Sequence, residues 1–225
     1  GLFRLIEVVY PPKDIDYGSG FTVKTRVFVE YPENDRYRIT NPRKICFDTQ
    51  MFKENKTPGT LRIFALGGSS VQYLTQYFKV LEKELLEEFK GKYKRVEIIN
   101  AGAGSYGSGR IVIVLKEILQ YDPDIVLLYT GHNEFEELQQ LKLAKVEYVS
   151  FMEFLSKSAI YRFFRDRLTD IWASILRNEH NKRLLSMSDP VTRPAWRHNF
   201  TEEEVLRRME GFENNLELII HICQK

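Results

Sequence analysis

Cysteine is nearly missing from this chain of 225 residues: only Cys46 and Cys223 occur, far apart. Two are too few for a disulfide framework, and neither they nor the four histidines show the close spacing of metal ligands. No apolar run approaches the length of a transmembrane helix. The opening "GLFRLIEVVYPP" is too short an apolar stretch for a signal peptide and lacks a cleavage pattern. A first residue of Gly1 rather than Met suggests a fragment or a processed form. A large excess of charge of one sign is missing too. Lys and Arg number 33 against 31 Asp and Glu, and a net +2 is too small to imply a nucleic-acid partner. Internal repeats and low-complexity tracts are absent.

What is present suits one good-sized domain, or one domain with a smaller appendage. Apolar residues make up 43% of the chain, enough for a substantial core. Residues 1–60 read as an N-terminal extension that packs on a core. They hold the turn-rich stretches "YPPKDIDYGSG" and "YPENDRYRITNP" around one strand, "FTVKTRVFVEY". From Leu61 strand and helix alternate. "LRIFAL", "RVEIIN" and "PDIVLLYT" are strand candidates. Between them lie a helical stretch from Val71 to Phe89, with Tyr77, Leu81, Leu85 and Phe89 four apart, and a second, "RIVIVLKEILQY". Strands separated by helix-length patterns predict βαβ units and a parallel sheet.

Residues 134–200 read as a helical insertion. In it, Ile160, Phe164, Leu168, Ile171 and Ile175 share one face of a helix over 159–177, read as core-facing. Its aromatic face and basic flanks also fit membrane-surface contact or a lid over an acyl site. Thr201 and Glu204 form a capping box for a last helix.

In a parallel sheet every βα loop leaves from the carboxyl edge, where such sheets bind ligands. Three loops here leave three successive strands: "GGSS", "NAGAGSYGS" and "TGHNEF". The first does not bind phosphates in the Walker manner, because no lysine follows its glycines, and it lacks the G-x-G-x-x-G fingerprint. A serine at a tight strand-to-helix turn does present its hydroxyl at the sheet edge. Acyl transfer then needs a base and donors for the oxyanion. Backbone N–H groups at Gly104 or Ser105 and the amide of Asn133 are the candidate donors.

These blocks resemble the SGNH (GDSL-like) hydrolase superfamily. Gly68-Ser69 matches its nucleophile block, "INAGAGSYG" its second block, and Gly131-His132-Asn133-Glu134 its G-x-N-D/E block. "PGTLRIFALGGSS" and "VLLYTGHNEF" are similar to a bacterial branch whose members often follow a membrane anchor and sometimes carry tetratricopeptide repeats. The resemblance covers residues 56–135 well and the helical remainder loosely. It implies a three-layer αβα, flavodoxin-like domain over 61–225. It further implies Ser69 as nucleophile, Ser105 and Asn133 as oxyanion donors, and no metal or organic cofactor.

This chain departs from the pattern in two places. Ser105 stands where the family has its oxyanion glycine. The family's C-terminal Asp-x-x-His is also missing, since none of His132, His180, His198 and His221 has an Asp three residues earlier. The domain is therefore expected to be truncated at its C-terminus, with the base downstream of Lys225.

Blander roles stand beside these. Ser69 or its rival Ser70 could simply cap a helix. Asn100 is expected to order its loop, and His132 to line the mouth rather than act as base. The other three histidines read as structural or surface residues. The substrate implied is a small-molecule or glycan ester, not nucleic acid. Alternatives are a non-catalytic binding module on the same fold, or a cell-envelope polysaccharide O-acyltransferase or deacetylase. The anchored branch implies an extracytoplasmic place, with membrane proximity through an upstream anchor or the 159–177 helix.

Overall fold

Strand β4 (Thr60–Gly67) is buried at all eight positions. Its run of apolar residues has two faces to fill, as a central parallel strand requires. In the computed structural model, which describes residues 1–12, 20, 26–42, 44, 46–137, 149–168, 170–171, 174 and 200–224, β4 is the middle of a three-stranded parallel sheet. β5 (Arg95–Gly102) pairs with it on one side and β6 (Ile125–Tyr129) on the other.

Helices cover both faces. On one, Leu61, Ile63 and Ala65 pack with Phe78, Leu85 and Leu86 of α3 (Thr75–Glu88). On the other, Phe64 and Leu66 meet Ile111, Leu115 and Ile118 of α4 (Ser108–Ile118) and Ile219 of the last helix (Glu202–Cys223). Each such side chain contributes about 1.5–3 kcal/mol on burial. The molecule is thus mixed α/β with a parallel sheet, as the alternating pattern predicts.

Two local expectations change. The helix expected from Val71 to Phe89 is broken into α2 (Ser69–Gln72) and α3. The cause is the buried side chain of Asn100 on β5. Its Nδ2 donates to the carbonyls of Val71 and Gln72, at 2.9 and 3.0 Å, and to Thr75 Oγ1 at 2.7 Å. Those carbonyls are drawn out of an uninterrupted helical ladder. The buried line is therefore Val71 and Phe78, with Leu85 half-buried, while Tyr77 and Leu81 face solvent.

The turn-rich N-terminal stretch also contains an antiparallel sheet. β1 (Phe28–Tyr31), β2 (Asn34–Thr40) and β3 (Met51–Lys53) pair in that order. β2, "NDRYRIT", is polar enough to read as a turn, but its strand form is held by pairing on both sides. Residues 21–25 of the expected strand lie outside the described residues. Phe28 and Phe52 from this sheet meet Phe64 and Tyr121 in edge-to-face contacts, with centroids 5.2–6.2 Å apart.

The chain divides into two compact units. Gly18–Val146 and Glu203–Lys225 hold both sheets. Gly1–Tyr17 and Glu147–Glu202 form the other. In that second unit α1 (Leu2–Val9) packs on a helical stretch at 159–168. Phe3 lies 5.5 Å from the Phe163 ring, and Arg162 grips the Glu7 carboxylate through two 2.7 Å bonds. This pairing turns Arg162, Phe163 and Asp166 inward. Ile160, Phe164, Leu168 and Ile171, read as core-facing, are instead more than half exposed. Ile175 lies outside the described residues. So does most of the expected 134–200 insertion, apart from residues 134–137 and 149–174 in part. Among the described residues no helix is long and apolar enough to cross a membrane.

Candidate active site

The paired ends of the three parallel strands bring the three loops together. β4 pairs Gly67 with Gly102 of β5 and with Tyr129 of β6. Val71 of α2 nests against this edge, so close that a Cβ on Gly102 would lie 2.7 Å from Val71 Cβ and from the Gln72 nitrogen. Glycine is needed there for approach, not for φ.

Gly68 is the N-cap of α2, and Ser69 is its first residue. Both Ser69 and Ser70 are partly exposed. Above Gly68 sits the third loop. A Cβ on Gly68 would collide with Asn133 Nδ2 and lie 3.0 Å from His132 Nε2. Asn133 is buried, and its Nδ2 donates one hydrogen to the Tyr106 carbonyl at 3.0 Å. That bond fixes the amide plane over Gly68, next to Ser69.

From the middle loop, Ser105 adopts φ 62°. This left-handed conformation costs a side-chain-bearing residue about 1–2 kcal/mol, and glycine occupies it freely. Ser105 therefore holds the backbone shape that a glycine would supply. Its hydroxyl donates to Glu136 Oε1 at 2.5 Å, which helps keep it there. Gly104 precedes it, and its N–H donates to the Cys46 carbonyl at 3.3 Å. Asn100 orders the turn, as expected, with its Oδ1 accepting the Gly102 N–H at 2.9 Å.

His132 is exposed, and its Nε2 lies 3.2 Å from the Ser70 hydroxyl, not from a bonded Ser69. Its ring centroid is 5.9 Å from that of Tyr129. His221 is exposed on the last helix, while His180 and His198 lie outside the described residues. Among the described residues, no group of three or more His, Cys, Asp or Glu could hold a metal ion.

Sequence reasoning missed the support behind Asn133. Glu134 and Glu137, on the turn that follows, are both buried. Glu137 accepts the N–H groups of Gly107, Gly109 and Arg110, each at 3.0 Å. Glu134 accepts the Ser108 N–H and hydroxyl, both at 2.8 Å. The two carboxylates thereby satisfy the orphan donors that open α4, where negative charge is favoured. Arg208 of the last helix bonds to both of them through Nη2. Asn215 adds a 2.9 Å bond to the Ser108 hydroxyl. A pair of acidic residues right after "GHN" was the available signal. Their target lies 26 to 30 residues earlier in the chain, beyond any local pattern.

No family model, curated protein or solved structure matches this chain.

Proposed function

We propose that this chain belongs to a serine ester hydrolase of SGNH type. Ser69 attacks the ester carbonyl, and the oxyanion is held by the N–H groups of Ser69 and Ser105 and by the Asn133 amide. A histidine oriented by an aspartate, contributed from outside the described residues, takes the hydroxyl proton and passes it to the leaving alcohol. Water then releases the acyl group. The fold reading is a three-layer αβα domain. The sheet order β5-β4-β6, with the first parallel strand in the middle, supports a flavodoxin-like arrangement.

One observation carries this reading: Asn133 is pinned over Gly68 while Ser105, on the neighbouring loop, holds a left-handed backbone. Preorganised donors of this kind supply the largest single part of acyl-transfer catalysis. The substrate in this reading is an ester on a small molecule or glycan, met outside the cytoplasm near a membrane.

The test is a fluorophosphonate probe with peptide mapping. The adduct is expected on Ser69 and is lost in Ser69→Ala. Asn133→Ala slows labelling by about a hundredfold or more, the usual loss for one oxyanion donor. An unmodified Ser69 in folded protein that carries the aspartate-oriented histidine overturns the reading.

A further inference from the structure

Ser70 already has the partner that Ser69 lacks among the described residues. Its hydroxyl lies 3.2 Å from His132 Nε2, within reach for a hydroxyl donating to a ring nitrogen. Three features place that ring. Gly131, at φ 126°, turns the chain out of β6 in a conformation that favours glycine. Tyr129 flanks the imidazole. Gly68 offers no side chain beneath, so Nε2 closes down onto the turn. The Asn133 amide overlies the same glycine. A hydroxyl, a proton acceptor and an amide donor therefore gather at one turn.

We propose that Ser70 and His132 form a second nucleophile–base couple, which cleaves small activated esters without any other histidine. It shares its reaction class and the Asn133 amide with the function proposed above, but neither its nucleophile nor its base. With the proton of the neutral ring on Nδ1, Nε2 is free to accept. Ser70 Oγ bonds to the ester carbonyl carbon while its proton passes to Nε2. The imidazolium returns that proton to the departing alcohol as the C–O bond breaks, leaving acyl-Ser70. The same nitrogen then takes a proton from water, whose oxygen attacks the acyl carbon. The acid leaves and the Ser70 hydroxyl regains its hydrogen. Among the described residues no carboxylate bonds to His132. Such a two-member couple suits leaving groups that depart easily, such as phenolates, because an orienting acid normally adds much to the rate.

The experiment uses the whole chain as Ser69→Ala, with a fluorophosphonate probe and p-nitrophenyl acetate. The expected adduct lies on Ser70. Adding His132→Ala slows both labelling and p-nitrophenol release by at least about a hundredfold, the usual share of a positioned base. Imidazole in the buffer restores part of the Ser70 labelling rate, and of p-nitrophenol release above that of imidazole without protein, which a purely structural role would not allow. Thermal unfolding checks that each variant is folded, and Ser69→Gly repeats the test should Ser69→Ala not fold. The proposal is overturned by folded Ser69→Ala that takes no label, or by labelling that ignores His132→Ala. Labelling of Ser69 in unsubstituted protein that carries the aspartate-oriented histidine decides the earlier reading separately, so either can fail alone.

Discussion

The two ends of strand β4 treat polar groups in opposite ways. Near the amino end Arg62 is fully buried, and its guanidinium is bonded all round. It reaches Glu97 at 2.6 Å and the carbonyls of Glu54, Tyr121 and Lys53 at 3.0, 2.6 and 2.8 Å. It also lies over the Phe52 ring, 5.5 Å from the centroid. At the carboxyl end the strand finishes in Gly67 and Gly68 follows it, and beside the buried Asn133 three polar side chains are open to solvent. Ser69 and Ser70 are partly exposed, and His132 is exposed. A saturated, buried polar cluster fixes structure, because every alternative leaves a group unsatisfied. An unsaturated and accessible one has bonding capacity left for a ligand. The contrast supports the proposal of a site at the carboxyl edge without reference to any motif.

The strongest way to test the contrast is to damage the amino end. Arg62→Met leaves Glu97 and three backbone carbonyls without their donor, and should cost about 3–5 kcal/mol, the usual result of breaking one side of a buried pair. Urea unfolding measures it. Adding Glu97→Gln should return part of the loss. A loss below about 1 kcal/mol would place the guanidinium in an ordinary surface ion pair and void the comparison. Gly68→Ala probes the other end. The new Cβ meets the tip of a side chain, Asn133 Nδ2, rather than backbone. Swinging aside takes the amide off the buried Tyr106 carbonyl, so stability should fall by about 1–3 kcal/mol, as for a buried group left without its partner. Labelling of the serine turn should fall at least about a hundredfold, the loss expected for a misplaced oxyanion donor.

Much of the carboxyl edge was legible in the sequence, and little of the amino end was. Glycine, serine and asparagine at strand ends announce close approach and hydrogen bonding by residue type alone. The alternation "LRIFAL … RVEIIN … PDIVLLYT" announced the parallel strands for the same reason. Arg62 inside "LRIFAL" carried no such signal, since its partners come from β3, β5 and the turn before β6. The break between α2 and α3 was invisible because its cause, Asn100, lies on another strand. β2 was hidden because strand pairing, not side-chain pattern, holds "NDRYRIT" extended. Long-range polar contacts are not periodic, so a period-based reading passes over them.

Asn100 spans the contrast, since it is buried yet serves the active edge. Asn100→Ala leaves the Gly102 N–H without its acceptor and takes one of two donors from each of the Val71 and Gln72 carbonyls, which keep Leu74 N–H and Thr75 Oγ1. The expected loss is about 1–3 kcal/mol, as for one buried group left without a partner. The variant also permits a continuous helix from Ser69 to Glu88. Slower exchange of the Thr75 and Gln76 amides would show that helix, and unchanged exchange would mean that something other than Asn100 sets the break.

The smallest effect comes from Glu117, on the last turn of α4. Its carboxylate accepts the N–H groups of Val27 and Phe28, both at 2.8 Å, and so ties β1 to the helix. Burial pushes its pKa above the usual glutamate range, although those two N–H bonds pull the other way. The sign then follows from linkage. Between the ordinary and the raised value, the folded chain holds a proton that the unfolded chain has released. Stability from this group is therefore fully present below the ordinary glutamate pKa and is lost as pH rises through the folded one. In the Glu117→Gln variant this decline should vanish. The diagnostic quantity is the difference in unfolding free energy between variant and parent at several pH values from mildly acidic to neutral. It should drift in the variant's favour as pH rises. A drift the other way would mean that the two backbone bonds outweigh burial, and that this end of the molecule holds its charges as comfortably as Arg62 and Glu97 are held.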